Sequence, residues 1–456
     1  MKHQGTRRNF LKQTGMLAAG TALANNVIPH VHAAENDTIK VALVGCGGRG
    51  TGAARQTLAA DPNVKFWAVA DVFSDKSRKA AELLQNEANK PEITSTVDLS
   101  RDRIFDGFDA YKKAMDMLSH GDVVLLATPP AFRPLHFAYA IEKGLHVFAE
   151  KALAVDIPSL KEFQEPNKMA KAKNLKIAVG LNNRHYFRTE EAVKEIHGGK
   201  LGELFTCFVY RSQPRGAGRD PDDSGLTTLQ SQLRRTFRFT WLTGSSIVDG
   251  LIHNLDICCW AKQQTPVAAL GMGGRLLRRN KDESIDNAHV QFTFPDGKKM
   301  MMYTLGMENT WAGFRAVIHG SKGSAVLGES VPDPKFYEDW NDEPGTVGKP
   351  FWMPKSAKNT SHQTELDRFF KAIREDRTWN EMEHGISATF TAIMGRMAIE
   401  TGKRITAEEA WASTFQYTPN IAEMNWESAA PVMPDANGNY RAPRPGTATV
   451  DDPYKS

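Results

Sequence analysis

The stretch IKVALVGCGGRG, residues 39 to 50, decides the fold. It reads as a buried strand, a glycine turn and the start of a helix. Gly45, Gly47 and Gly50 keep the G-x-G-x-x-G spacing. The first glycine permits the tight turn, the second lets the backbone approach a pyrophosphate, and the third lets helix and strand pack closely. Free N–H groups at the helix start then face the phosphate charge. Gly48 and Arg49 belong to the same loop and are counted with it as cofactor-binding. A glycine triplet alone is weak evidence, because glycine turns are common. Here VKFWAVA, residues 64 to 70, supplies a second strand that ends in Asp71, about 20 residues past the last glycine, as a dinucleotide fingerprint requires. A carboxylate there accepts hydrogen bonds from a ribose 2′-hydroxyl and repels a 2′-phosphate, so NAD is expected rather than NADP. The plainer alternative for Asp71 is a turn residue at a strand end.

Working outward, residues 74–88 have helical spacing, and 89–105 read as a polar surface insertion. A short helix over 109–118 precedes DVVLLA, residues 122–127, an apolar run that suits a central parallel strand. Thr128, Pro129 and Pro130 end that strand at the sheet edge where ligands bind, so this turn is expected to border the cofactor. A helix over 134–143, a strand over 146–150 ending in Glu150-Lys151, a helix over 157–173 and a strand over 176–181 complete the alternation. It specifies a doubly wound parallel sheet, a Rossmann domain over 38–181.

From 182 to 411 the pattern changes to an α+β domain with a large, mostly antiparallel, open-faced sheet. Its strands are expected at 204–211, 289–294, 299–305 and 315–318, with helices at 245–261, 363–374 and 386–401. Two irregular excursions interrupt it. One is 212–240, with Arg215, Arg219, Arg234, Arg235 and Arg238; the other is 328–360. Residues 412–456 are read as an irregular tail wrapping the surface without a core of its own.

The 456 residues are 41% hydrophobic and 24% charged, enough for two sizeable cores. Lys and Arg number 57 against 53 Asp and Glu, and the excess is Lys2, Arg7, Arg8 and Lys12, in a 33-residue stretch that holds no acid. The remainder is neutral and makes no case for nucleic-acid binding. Cys46, Cys207, Cys258 and Cys259 form neither a disulfide framework nor a metal-ligand spacing. Thr6-Arg7-Arg8-Asn9-Phe10-Leu11-Lys12 reads as a twin-arginine export signal, followed by an apolar run over 16–28 and an A-x-A-like site at Val31-His32-Ala33. That run is too short to span a bilayer. Residues 1–33 are therefore expected to be a signal peptide, and the protein to be exported, periplasmic and without a membrane span.

In this order the motifs resemble the glucose–fructose oxidoreductase / inositol dehydrogenase / MocA (Gfo/Idh/MocA) family over about 39–411. The resemblance rests on VALVGCGGRG with Asp71, on ATPPAFRPLHFAYAIEKGLHVFAEKALA at 127–154, on IVDGLIHNLDICCW at 247–260 and on the helix around 386–401. Two departures stand out. Ala152 replaces the proline that follows the family's Glu-Lys pair, and Gly250 directly follows Asp249 where the family has one residue between them. The resemblance implies a catalytic group of Lys151, Asp249 and His253. It also implies that His136 is structural or lies near the nicotinamide, and that the chain assembles as a homodimer or homotetramer through the open sheet face.

That group suits alcohol oxidation, which needs a base for the hydroxyl proton and a nicotinamide for the hydride. His253 titrates in the right range. Asp249, four residues earlier, shares its face if one helix carries both. Lys151, at a parallel strand end, would polarise the reacting oxygen. Taken singly, each could equally be a satisfied structural residue. Arg184, His185 and Tyr186, at the domain junction, and Asp256 suit a polyol, although packing at the interface explains Arg184 and Tyr186 as readily. Asp249, His253 and Asp256 can be imagined as metal ligands, but no metal is expected.

The leading expectation is an exported sugar or glycoside oxidoreductase with tightly bound NAD, with oxidation at C3 an attractive case. The first rival is an NAD-relay glycosidase of the α-N-acetylgalactosaminidase kind, which oxidises, eliminates, hydrates and reduces with no net redox change. Such hydrolases resemble this chain in the GGRG turn and in export but lack the Glu-Lys lysine. The second rival is a non-catalytic sugar-binding protein.

Overall fold

The computed structural model describes residues 38–212, 223–277, 281–328, 330–340 and 348–455. The expected signal peptide, Arg215 and Arg219 lie outside them. The first layer runs β1 (Ile39–Val44), α1 (Gly48–Ala60), β2 (Val64–Asp71), α2 (Ser74–Ala88), β3 (Thr96–Val97), β4 (Ile104–Asp106), α3 (Ala110–Asp116), β5 (Val123–Leu126), α4 (Arg133–Glu142), β6 (His146–Ala149), α5 (Ile157–Lys161), α6 (Gln164–Ala172) and β7 (Ile177–Val179). These strands make one seven-stranded sheet in the order β3-β2-β1-β5-β6-β7, with β4 also on β2. Every pairing is parallel. β5, β1 beyond Lys40 and β6 beyond His146 are apolar on both faces because helices cover both, which is why they read as hydrophobic runs. The strand order reverses between β1 and β5, and that switch point opens a crevice at the strands' carboxyl ends.

The second layer follows: α7 (Phe187–His197), β8 (Leu204–Ser212), α8 (Thr228–Arg234), α9 (Thr240–Thr243), α10 (Ser245–Gly250), α11 (Ile252–Lys262), β9 (Ala268–Gly274), β10 (Asn287–Thr293), β11 (Lys299–Leu305), β12 (Gly313–Gly320), β13 (Gly323–Leu327), β14 (Lys335–Tyr337), α12 (Ser361–Arg374), α13 (Met382–Thr401), β15 (Arg404–Thr406) and α14 (Ala407–Ala412). Its eight-stranded sheet has the order β14-β13-β12-β8-β11-β10-β9-β15, antiparallel except for the β8–β11 pair. Val209, Val290, Phe292, Met300 and Met302 point to the face packed with the helix residues Leu255, Ile257, Ile393 and Met397. The alternate positions carry half-exposed aromatics, with Tyr210 stacked 5.5 Å from Tyr303 and Phe208 6.1 Å from Tyr210.

Four stretches differ from the sequence expectations. Residues 89–105 are not a plain insertion: β3 and β4 extend the parallel sheet from β2, but at two and three residues they show no periodicity. The helix expected over 157–173 is two, because Pro166 lacks an N–H and fits only a first turn, so α6 restarts just before it. The helix expected over 245–261 breaks at Leu251. Helix α12, in the stretch read as second domain, returns to pack Leu366, Phe369 and Phe370 against Ala53, Ala54 and Leu58 of α1. In the irregular tail, Tyr417, Ala430 and Tyr440 pack into one cluster with Leu229, Leu233, Phe239 and Trp241.

Candidate active site

The crevice begins at the glycine loop. Gly45 has φ +99°, and a Cβ there would lie 2.5 Å from the Thr128 nitrogen. At Gly50 a Cβ would lie 1.9 Å from the Gly45 carbonyl oxygen. These two glycines hold the turn and the strand–helix contact. Gly47 and Gly48 are different: a Cβ at either meets nothing within 4 Å, so their bare backbone faces open space at the N-terminus of α1. Orphan N–H groups beside a space shaped by missing side chains fit a pyrophosphate. Asp71 ends β2, and its Oδ2 accepts from the Cys46 N–H at 2.8 Å while Oδ1 accepts from the Phe73 N–H at 3.0 Å. Burial raises its proton affinity, and those amides counter the rise. A dinucleotide therefore fits this chain's residues. One expected result separates its binding from its fold. Gly47→Ala leaves the melting temperature unchanged and weakens NAD binding at least about 10-fold, because the methyl enters ligand space. Calorimetry of both variant and parent checks it.

Asp71, Thr128, Pro129, His136, Glu150, Lys151 and Asp249 all line the same crevice as the glycine loop. Some side chains face one another rather than a ligand. The Arg49 guanidinium pairs with Glu150 and lies 3.5 Å from Glu365 Oε1, so the loop's arginine holds the crevice floor. The His136 Nδ1 lies 3.1 Å from the Thr128 hydroxyl, and its ring is 4.2 Å from that of Tyr111. Burial, with the charge of Arg133, lowers its pKa to about 3, so it is neutral throughout the working range.

Lys151 follows β6, and its Nζ donates to the Asp249 carbonyl oxygen at 2.8 Å and lies 3.4 Å from Asp249 Oδ1. This contact joins the two layers. The expected Asp249–His253 pair does not form. Asp249 lies in the last turn of α10 and His253 in the first turn of α11, with the break at Leu251 between them, so the four-residue spacing does not place them on one helix face. The His253 Nδ1 is buried with no hydrogen-bond partner. Burial lowers the His253 pKa well below its ordinary value, and the charges of Lys151, His362, Arg211 and Arg49 push the same way. The arrangement therefore places the Lys151 ammonium and Asp249 at the crevice edge, while His253, a buried and neutral imidazole that feels the Lys151 charge, is not among the residues that line the crevice.

The four residues expected to touch substrate are not part of the crevice wall. Arg184 and Asp256 close on each other through two hydrogen bonds of 2.8 Å, and the guanidinium lies 5.0 Å from the centre of the Trp260 ring. A bidentate pair of this kind occupies both partners. His185 Nε2 lies 3.1 Å from Glu381 Oε1, and although burial opposes it that carboxylate raises the imidazole pKa above its ordinary value. The Tyr186 hydroxyl donates to the Pro332 carbonyl at 2.7 Å. All four bind the junction together. Among the described residues no group of three or more His, Cys, Asp or Glu is arranged to hold a metal ion.

Sequence reading missed Arg133 and Glu365. Arg133 is buried at the start of α4, donates to the Ala152 carbonyl and so holds the segment that carries Lys151. Burial lowers its pKa to about 10. Glu365, on the buried face of α12, has one oxygen 3.2 Å from His362 Nδ1 and the other unpartnered. Burial, with the nearby charge of Glu150, raises its pKa well above the carboxylate range. Arg133 signals itself in the sequence only as a charge set among apolar residues, and Glu365, among polar and charged neighbours, gives no signal.

Residues 39–181 match the oxidoreductase family with an NAD-binding Rossmann fold, and 189–326 match the Gfo/Idh/MocA C-terminal domain. A glycosyl hydrolase family 109 protein from Streptomyces coelicolor is 29% identical over 175 residues, 38% of this chain. The match spans about one third of that relative's length. Among solved structures, apo scyllo-inositol dehydrogenase from Lactobacillus casei is 18% identical with a TM-score of 0.58, covering 82% of this chain and 100% of that one. Aldose-aldose oxidoreductase from Caulobacter crescentus, complexed with glycerol, is 17% identical with a TM-score of 0.59, covering 81% and 99%. These likenesses are of fold. The two family matches, in chain order and together spanning more than half of the sequence, place the chain in the Gfo/Idh/MocA family of oxidoreductases.

Proposed function

We propose that the protein oxidises a hydroxyl of a sugar, glycoside or polyol, with NAD bound along the glycine loop and Asp71. The observation that carries this reading is the meeting of Lys151, Asp249 and the crevice at one edge. Bound NAD would supply the hydride acceptor. The neutral His253 accepts the hydroxyl proton. The Lys151 ammonium, steadied by the Asp249 carbonyl, stabilises charge on the reacting oxygen. Arg133 keeps the Lys151 segment in place. Asp71 selects NAD over NADP by repelling a 2′-phosphate. Asp71→Ser is expected to narrow that preference about 10-fold, read as the ratio of the two cofactors' dissociation constants.

The basic leader supports export, and scarce free dinucleotide outside the cytoplasm supports a cofactor retained between turnovers. A second, oxidised sugar would then complete the cycle in the same site. Oxidation at C3 of a glycoside is the specific case we favour. The half-exposed aromatic sheet face around Tyr210 and Tyr303 supports a homodimer or homotetramer. The test is to purify the exported form, add no cofactor, and follow the reduced-nicotinamide absorbance while titrating sugars and aryl glycosides. A band that rises with one sugar and falls with a second, oxidised one supports the proposal. No band with any of them, and no bound dinucleotide, overturns it.

The family 109 relative motivates the second reading, a redox-relay glycosidase. Lys151 argues against it. Release of free sugar from an aryl α-N-acetylgalactosaminide, with the band returning to baseline, would establish it instead.

A further inference from the structure

One side of the crevice comes from neither the glycine loop nor the first sheet. Leu233, Thr236 and Phe237 line it. Phe237 is 71% exposed, the most exposed large apolar side chain among the described residues. An aromatic ring left open to water beside a nucleotide crevice calls for an occupant.

The segment bearing Phe237 is pinned at both ends to the first layer. At one end the Arg234 guanidinium donates to Asp75 at 2.9 and 3.3 Å and lies 4.1 Å over the Phe73 ring. Asp75 and Phe73 sit just past Asp71, the ribose-binding acid. At the other end the Leu242 carbonyl accepts from the Ala131 N–H at 3.3 Å, in the turn that borders the opposite end of the crevice. Residues 234–242 therefore run from the Asp71 side to the Thr128 side.

The back of this segment is held firmly. Buried Gln232 accepts from Trp241 Nε1 at 2.7 Å and donates to the Val432 carbonyl at 2.6 Å. Glu283 accepts from the Thr240 N–H at 2.9 Å and from the Tyr454 hydroxyl. Trp426 of the tail packs against Phe73 and Phe108, with ring centroids at 5.5 and 4.9 Å.

We propose that residues 234–242 form a strap across the dinucleotide crevice, braced by the C-terminal tail, and that Phe237 stacks on the adenine ring. Phe237 stands three residues from the Arg234 anchor, which places it at the Asp71 half of the crevice, where the adenosine lies. A flat ring on a braced segment pays little ordering entropy on stacking. The strap rests on the dinucleotide reading above and gives it a retention device.

The test uses purified full-length protein and the dissociation rates of NAD and of ADP-ribose, followed by a chase. Phe237→Ala is expected to raise both rates about 10-fold, with Phe237→Trp restoring them and the melting temperature unchanged. Arg234→Met, which frees one anchor, raises both as well. Unchanged rates in Phe237→Ala overturn the strap, as does a rise for NAD alone, which would place the ring at the nicotinamide half. If the parent protein binds neither ligand, the dinucleotide reading itself falls, and the strap with it.

Discussion

Lys151→Met is expected to slow sugar-dependent reduction of the cofactor about 1,000-fold while leaving NAD bound. Methionine keeps the length and apolar stem of lysine, so the substitution removes the ammonium without opening a large hole. The side chain is 17% exposed and that of Asp249 is 15%, so in the proposed mechanism the charge would sit in a partly dehydrated place, where it would stabilise a developing oxyanion more than water would. Its Nζ is held at 2.8 Å by a backbone carbonyl that no side-chain change at Asp249 removes. Asp249→Asn therefore loses only the longer, 3.4 Å contact and is expected to cost about 10-fold, well short of the lysine variant. Single-turnover measurement of the reduced band, on protein whose NAD content has been assayed, separates chemistry from binding. A parental rate in Lys151→Met removes the lysine from the mechanism.

The first layer was legible because its signals are local. A strand, a glycine turn and an acid at a fixed distance lie within about thirty residues, and Gly45 and Gly50 hold the turn and the close strand–helix contact that their spacing announced. The contact of Lys151 with Asp249 spans 98 residues and was foreseen only through the resemblance. The Asp249–His253 pair was a spacing argument that assumed one continuous helix. The helix stops at Leu251, and Gly250 just before it lies so close to Arg211 of β8 that a Cβ there would sit 1.6 Å from Nη1, a contact no local window contains. Arg184 and Asp256 misled for a related reason. Hydrogen-bonding side chains at a domain junction look alike in sequence whether they await a ligand or one another, and 72 residues separate this pair. Phe237 went unnoticed because an exposed aromatic in a loop acquires meaning only when the loop is seen to cross a crevice.

His253→Asn is expected to lower turnover about 1,000-fold, and its parent's pH profile carries a sharper expectation. Burial is the largest cause of its lowered pKa, and the charges of Lys151, His362, Arg211 and Arg49 act in the same direction. In the proposed mechanism the neutral imidazole is the form that would accept the hydroxyl proton. Activity therefore persists as pH falls through 6.5, the ordinary histidine value, and declines only lower, where the depressed group is protonated. The acid limb of kcat/KM is thus expected below 6.5. Lys151→Met deletes one of the charges that depress the imidazole, so the acid limb of its residual activity moves upward toward the ordinary value. An Asp249-oriented imidazolium would behave in the opposite sense, because a hydrogen-bonded carboxylate raises a histidine pKa. A parental acid limb above 6.5, or one that stays fixed when Lys151 is replaced, would show that another group takes the proton and that buried His253 serves the fold alone.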